Sequence, residues 1–163
     1  TVPASEGTAA VPLRELCQIA RAMRPDCLLL GETAGAIPAG VLVDAAAGRF
    51  GILAAGTASN PEEALECLAA TPRSDQDDVA DGLARVSLAR VFHLVIHQER
   101  LSDGSRRITR LSEVFESVDG AHGLRDLFLF EPTGTDENGR IQGSFRSTPA
   151  LAEFVTHRKR SAV

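Results

Sequence analysis

The chain has 163 residues, 44% hydrophobic and 24% charged, which fits one domain folding around its own core. Its net charge of −5 excludes a general nucleic-acid binder, and seven Phe without Trp or Tyr leave few stacking platforms for single strands. Lys159 is the one lysine, in "HRKRSAV" with no glycines before it. That excludes a Walker A loop, whose lysine must reach the β- and γ-phosphates.

Residues 1–10 read as an N-terminal loop. In "VPLRELCQIARAM" the apolar positions 13, 16, 19, 20 and 23 have helical spacing, with Pro12 in the first turn and Pro25 enforcing the stop. "CLLLG", 27–31, is an apolar run without alternation and reads as a buried strand. Glu32 stands at its carboxyl end. In an open α/β sheet, ligands bind beyond the carboxyl ends of the strands, where an acid holds magnesium or polarises water. Otherwise Glu32 is a solvated acid opening a loop. The Ala-rich stretch 37–47 reads as a helix ended by Gly48, and "FGILAAG", 50–56, as a second buried strand. Asn60 caps a further helix, with Pro61 at its first position and Glu62 and Glu63 near the positive end of its dipole. This alternation indicates parallel strands with crossover helices over residues 11–74.

"TPRSDQ" reads as a linker and 77–91 as a helix despite Gly82. Then the period changes. Strands over 91–99, 107–117, 124–131 and 140–145, separated by Asp-Gly and Gly-rich turns, predict an antiparallel meander within 75–148. Residues 149–163 read as a basic tail. The acidic run 75–81 and the basic run 157–160 read as solvated faces. No apolar run approaches the ~18 residues of a membrane span, and no signal-peptide pattern opens the chain.

Cys17, Cys27 and Cys67 are odd in number, lack Cys-x-x-Cys spacing, and read as reduced, mostly buried thiols of a cytosolic protein. His93 and His97 share one side of a strand but stand roughly 13 Å apart at about 3.3 Å per residue, too far to share a metal ion. His122 falls in a turn and His157 in the tail. No Gly-x-Ser-x-Gly surrounds Ser59 or any other serine, which argues against a hydrolase triad. Arg106 and Arg110 share one strand face with Arg107 opposite, placed either to protect a sheet edge by charge or to meet an acidic neighbour in a ring.

"MRPDCLLLGE" resembles the second acidic motif of bacterial type II/IV secretion ATPases, in particular the CpaF-like ATPases of tight-adherence (Flp) pili. There the pattern runs Arg-Pro-Asp, apolar strand, Gly-Glu, Arg-Gly. "TASNP", Thr57 to Pro61, stands where the family places a His-Ala-Asn-Ser-Pro box. "LSDGSRRITRLSEV" and "LRDLFLFEPTGTDENGRIQG" are similar to its late hairpin and closing strands. The resemblance covers roughly residues 8–148. It implies a RecA-like (P-loop NTPase-type) half-sheet followed by the meander. It also implies hexameric assembly at the cytoplasmic face of the inner membrane, with platform proteins and secretion or pilus machinery as partners, and no nucleic acid.

The departures fall on the chemistry. Glu32 occupies the position of the Walker-B-type acid, which touches magnesium indirectly when ATP is bound. The arginine expected after it is Ala34, the second acid is Ile37, and the box histidine is Thr57. Arg49 and Phe50 replace the polar pair of the turn before the second strand. Candidate nucleotide neighbours are therefore Thr57, Asn60 and Arg49. Losing one charged group from such a site costs on the order of 100- to 1000-fold in rate. The chain alone is expected not to hydrolyse ATP, and ATP and magnesium bind only if a further segment or a partner completes the site. The expected function is a non-hydrolysing structural or regulatory subunit. The alternatives are the C-terminal part of an active motor and, more distantly, an unrelated small-molecule binder. The free edge of strand 27–31, where the family's Walker A strand pairs, is expected to be covered by another element or chain.

Overall fold

The computed structural model describes residues 11–32, 37–69, 87–117, 120 and 122–161. The first helix, α1 (Leu13–Ala22), starts at the first apolar position of its spacing, with Pro12 just outside it as the N-cap instead of in the first turn. Pro12 is extended at the N-cap (ψ 150°), and its carbonyl accepts the first amides, from Glu15 and Leu16. Glu15 in the first turn and Arg21 in the last complement the helix dipole. The predicted apolar stripe is only partly used: Cys17 is buried, whereas Ile19 and Met23 are exposed. Pro25 cannot continue the helix, and Arg24 leaves it in the left-handed region at φ +52°.

Strands β1 (Cys27–Glu32) and β2 (Gly51–Ala55) pair in parallel, from Cys27 opposite Gly51 to Glu32 opposite Ala55, with an irregularity between Leu30 and Glu32. Between them in the chain runs α2 (Ala39–Ala46), which buries Ala39, Val41, Leu42 and Ala45. It ends as a Schellman motif: Gly48 at φ +73° donates to the Ala45 carbonyl and Arg49 to the Asp44 carbonyl. Beyond β2 comes α3 (Pro61–Ala69), with Pro61 at its first position as expected. The Glu63 carboxylate reaches back to the Ser59 amide at 2.7 Å, which holds its pKa below the usual carboxylate range.

The two strands are not buried on both sides. Leu30 is 7% exposed, but Leu29 and its register partner Leu53 are 71% and 62% exposed. An apolar run alone could not separate a strand covered on both faces from one covered on a single face. Among the described residues β1 has one strand partner, β2. The expected linker, nearly all of the helix expected over 77–91, and Ala34 lie outside the described residues. Leu88–Arg90 form a single 3-10 turn.

The meander appears as predicted, with its last two strands longer and its first shorter than expected. Strands β3 (Leu94–Arg100), β4 (Arg106–Glu116), β5 (His122–Thr135) and β6 (Ile141–Ser147) form one antiparallel sheet in chain order. His122 opens β5 rather than lying in a turn, and His93 precedes β3. The basic tail folds as helix α4 (Ala150–Ser161), which packs on β5. Val114, Leu127 and the Ser112 side chain form the buried centre of this sheet.

The chain divides into two compact units instead of the single domain its length suggests. One comprises Thr1–Ser59 and Glu63–Val91, the other Asn60–Glu62 and Phe92–Val163. Cys17 alone of the three cysteines is buried, and burial pushes its thiol pKa up. Cys27 and Cys67 are exposed, contrary to expectation, and all three are free thiols.

Candidate functional site

The parallel pair has two ends, and they differ in chemistry. At the carboxyl end Glu32 is the last residue of β1, paired through its backbone with Ala55, the last residue of β2. Thr57 follows two residues later in an exposed loop. Asn60 precedes α3 and groups with the second unit. Glu32 therefore stands where its sequence position placed it, at the carboxyl edge of a parallel strand.

Arg49 does not join it. It lies in the turn before β2, at the amino end of the pair, removed from Glu32 by the length of β2, roughly 15 Å at about 3.3 Å per residue. Its guanidinium pairs with Asp44 (Nη1 to Oδ1, 3.2 Å). The Schellman turn after α2 fixes this placement, so Arg49 is no neighbour of a nucleotide bound at Glu32.

The amino end carries a cavity of about 540 Å³ lined by Arg21, Ala22, Arg24, Asp44, Arg49 and Phe50. Asp44 is the organising group. Its side chain is 10% exposed, and Oδ2 accepts from Arg21 Nε at 2.5 Å while Oδ1 faces Arg49. Two partners compensate the cost of burying this charge. The signal was present in the sequence, since Asp44 is the one charged residue in the Ala-rich stretch 37–47. Its partner Arg21 was not legible there, being 23 residues away.

In the sheet the three arginines of β4 depart from expectation. β4 is internal, flanked by β3 and β5, so none of them guards an edge. Arg107 pairs with Glu99 and Arg110 with His97, while Thr109 is left out of the register as a bulge. Glu99 and His97 share a face of β3, so Arg107 and Arg110 share a face and Arg106 lies opposite. Arg107 donates to the Ile141 carbonyl at 2.9 Å and sits over the Phe130 ring at 5.5 Å. Arg110 donates to Asp126 Oδ1 (2.9 Å from Nη2) and to Glu62 of the same unit (2.9 and 3.2 Å). The hydrogen bond from Arg110 lowers the Glu62 pKa, and Glu62 in turn raises that of Arg110. The fully buried Ser112 hydroxyl donates to the same Asp126 oxygen at 2.7 Å. This network leaves Arg110 occupied.

His97 Nδ1 lies 3.3 Å from Thr109 Oγ1 and 3.8 Å from Glu99. Among the described residues no three His, Cys, Asp or Glu side chains converge on a point that a metal ion could occupy. No described helix is long and apolar enough to cross a membrane. No protein-family model matches the chain, and no characterised protein matches it closely enough to stand as a relative.

Proposed function

We propose that this chain is a degenerate relative of the CpaF-like secretion ATPases, acting as a non-hydrolysing structural or regulatory subunit of a type II/IV secretion or tight-adherence pilus machine. The observation that carries the reading is Glu32 at the carboxyl end of a parallel strand, joined through a crossover helix to a second parallel strand. On this reading β1 and β2 belong to a RecA-like half-sheet, and the meander corresponds to the family's closing strands. Partners are a secretion ATPase ring and inner-membrane platform proteins at the cytoplasmic face. Phosphoryl transfer needs positioned charges around the γ-phosphate, and Thr57 and Ala34 supply none in place of the family's histidine and arginine.

The second reading, the C-terminal part of an active motor, draws on a different observation. β1 has one strand partner among the described residues, and the family's Walker A strand pairs along its other edge. One experiment separates the two: phosphate release from magnesium-ATP by the chain alone and mixed with an intact CpaF-like ATPase, with co-sedimentation measured in parallel. Association without phosphate release by the chain, unchanged in Glu32→Gln, is expected. Release above that of the ATPase alone, present only in the mixture and lost in Glu32→Gln, selects the second reading. Absence of any association with the ATPase or its platform proteins overturns both.

A further inference from the structure

The amino-end cavity is unrelated to Glu32 and carries its own chemistry. Three arginines and one aspartate line about 540 Å³, and two of the guanidiniums pair with that aspartate. The helix ends nearby explain part of this charge. Arg21 in the last turn of α1 and Arg49 just past α2 suit the carbonyl-rich C-termini of their helices, and both are held by Asp44. Arg21 is fixed from a second side: a Cβ on Gly40 would come within 3.0 Å of its Nη1, so the guanidinium lies against the bare start of α2.

Arg24 is explained by neither helix. It lies past the end of α1 at φ +52°, a conformation that glycine takes freely and branched or long side chains rarely adopt. Its amide donates to the Arg21 carbonyl, but its guanidinium has no hydrogen-bond or ion-pair partner among the described residues. A left-handed backbone that holds a guanidinium without a partner among the described residues, beside a cavity already carrying two oriented guanidiniums, suits a ligand, not the fold. Phe50, 9% exposed, and Ala22 give the cavity an apolar wall beside these charges.

We propose that this cavity binds a phosphorylated small molecule. The phosphoryl oxygens lie between Arg24, Arg21 and Arg49, and the organic body rests against Phe50. Arginine forks match phosphate geometry in two-point contacts, and Asp44 pre-orients two of the three forks so that little order is lost on binding. The site does not depend on the proposed kinship with secretion ATPases, and it lies at the opposite end of the strands from Glu32.

The test is calorimetric titration of the full chain with inorganic phosphate and with adenosine monophosphate, using adenosine as the uncharged control. Adenosine monophosphate is expected to bind more tightly than phosphate, and adenosine not at all. Arg24→Ala and Arg49→Ala should each weaken binding roughly 10-fold or more. Arg146→Ala, which removes a surface arginine paired with Glu131 on the sheet, should leave binding unchanged. Arg24→Gly is the sharper variant, because glycine relieves the strained φ. Its melting temperature should rise while its affinity falls, a combination that a purely structural role for Arg24 would not give. No heat from either phosphate compound at millimolar concentration overturns the proposal. So does undiminished binding by the Arg24→Ala/Arg49→Ala double variant, or binding to phosphatidic-acid vesicles without binding to adenosine monophosphate.

Discussion

Asp103 shows how much one side chain settles in this sheet. Its carboxylate accepts from the Ser105 hydroxyl (2.7 Å), the Ser105 amide (2.9 Å) and the Ile141 amide (2.7 Å). The first two close the β3–β4 turn, and the third ties that turn to the start of β6. These hydrogen bonds, led by that from the Ser105 hydroxyl, lower its pKa from 3.8 to about 2. A carboxylate with a depressed folded-state pKa stabilises the fold above its unfolded value, and the contribution is lost as pH falls through the folded one. Wild type and Asp103→Asn should therefore differ in urea midpoint at neutral pH. The gap should narrow as pH drops from about 4 to about 2. A gap that stays constant down to pH 2 would remove the carboxylate's charge from the explanation. The Asp-Gly pair at 103–104 was legible as a turn, because Gly104 at φ +80° is what such turns need. The bond to Ile141 was not, because nothing local specifies a partner 38 residues away.

At the level of elements, the strands and their order followed from period-two alternation and turn residues. Their register did not. Bulges interrupt the ladder near Thr109, near Leu127 and between Pro132 and Gly134. A bulge is settled by what lies across the strand, so the sequence of a single strand does not announce it. The one at Thr109 reversed the expected faces of the β4 arginines. The one near Leu127 leaves that side chain 1% exposed. Leu127→Ala should destabilise the chain by about 2–5 kcal/mol in equilibrium denaturation, as expected for emptying a filled core position. Gly143 tests packing in the other direction. A Cβ there would collide with the Glu131 carbonyl and reach 2.5 Å from Phe130 Cζ. Gly143→Ala should cost about 1–3 kcal/mol through overpacking, and a neutral result would mean that β5 and β6 can move apart at no cost. At the helix ends the capping residues were equally plain: Pro61 and Gly48 sit where predicted, because each has a local backbone reason to do so. Burial was less so. β1 and β2 read as strands from their composition, but whether one or both faces are covered depends on neighbours that a short apolar run does not encode.

Across the whole molecule, charge is distributed through specific pairs. Asp44 gathers Arg21 and Arg49, Asp126 gathers Arg110 and Ser112, and Glu113 and Glu153 share Arg125 at 2.6 Å each. With 16 arginines and one lysine, the chain uses planar forks nearly everywhere it uses a cation, which suits bridging contacts of this kind. The sheet has a further property that equilibrium stability does not express. Each strand pairs with its neighbour in the chain, so most of the ladder can zip from local turns with little loop-closure entropy. The Asp103–Ile141 bond is an exception, since it requires both hairpins to be in place before it can form. It should therefore be absent from the transition state and act as a latch on the finished sheet. In stopped-flow experiments, Asp103→Asn should accelerate unfolding and leave the refolding rate unchanged. An equal slowing of refolding would place the meeting of the two hairpins before the barrier.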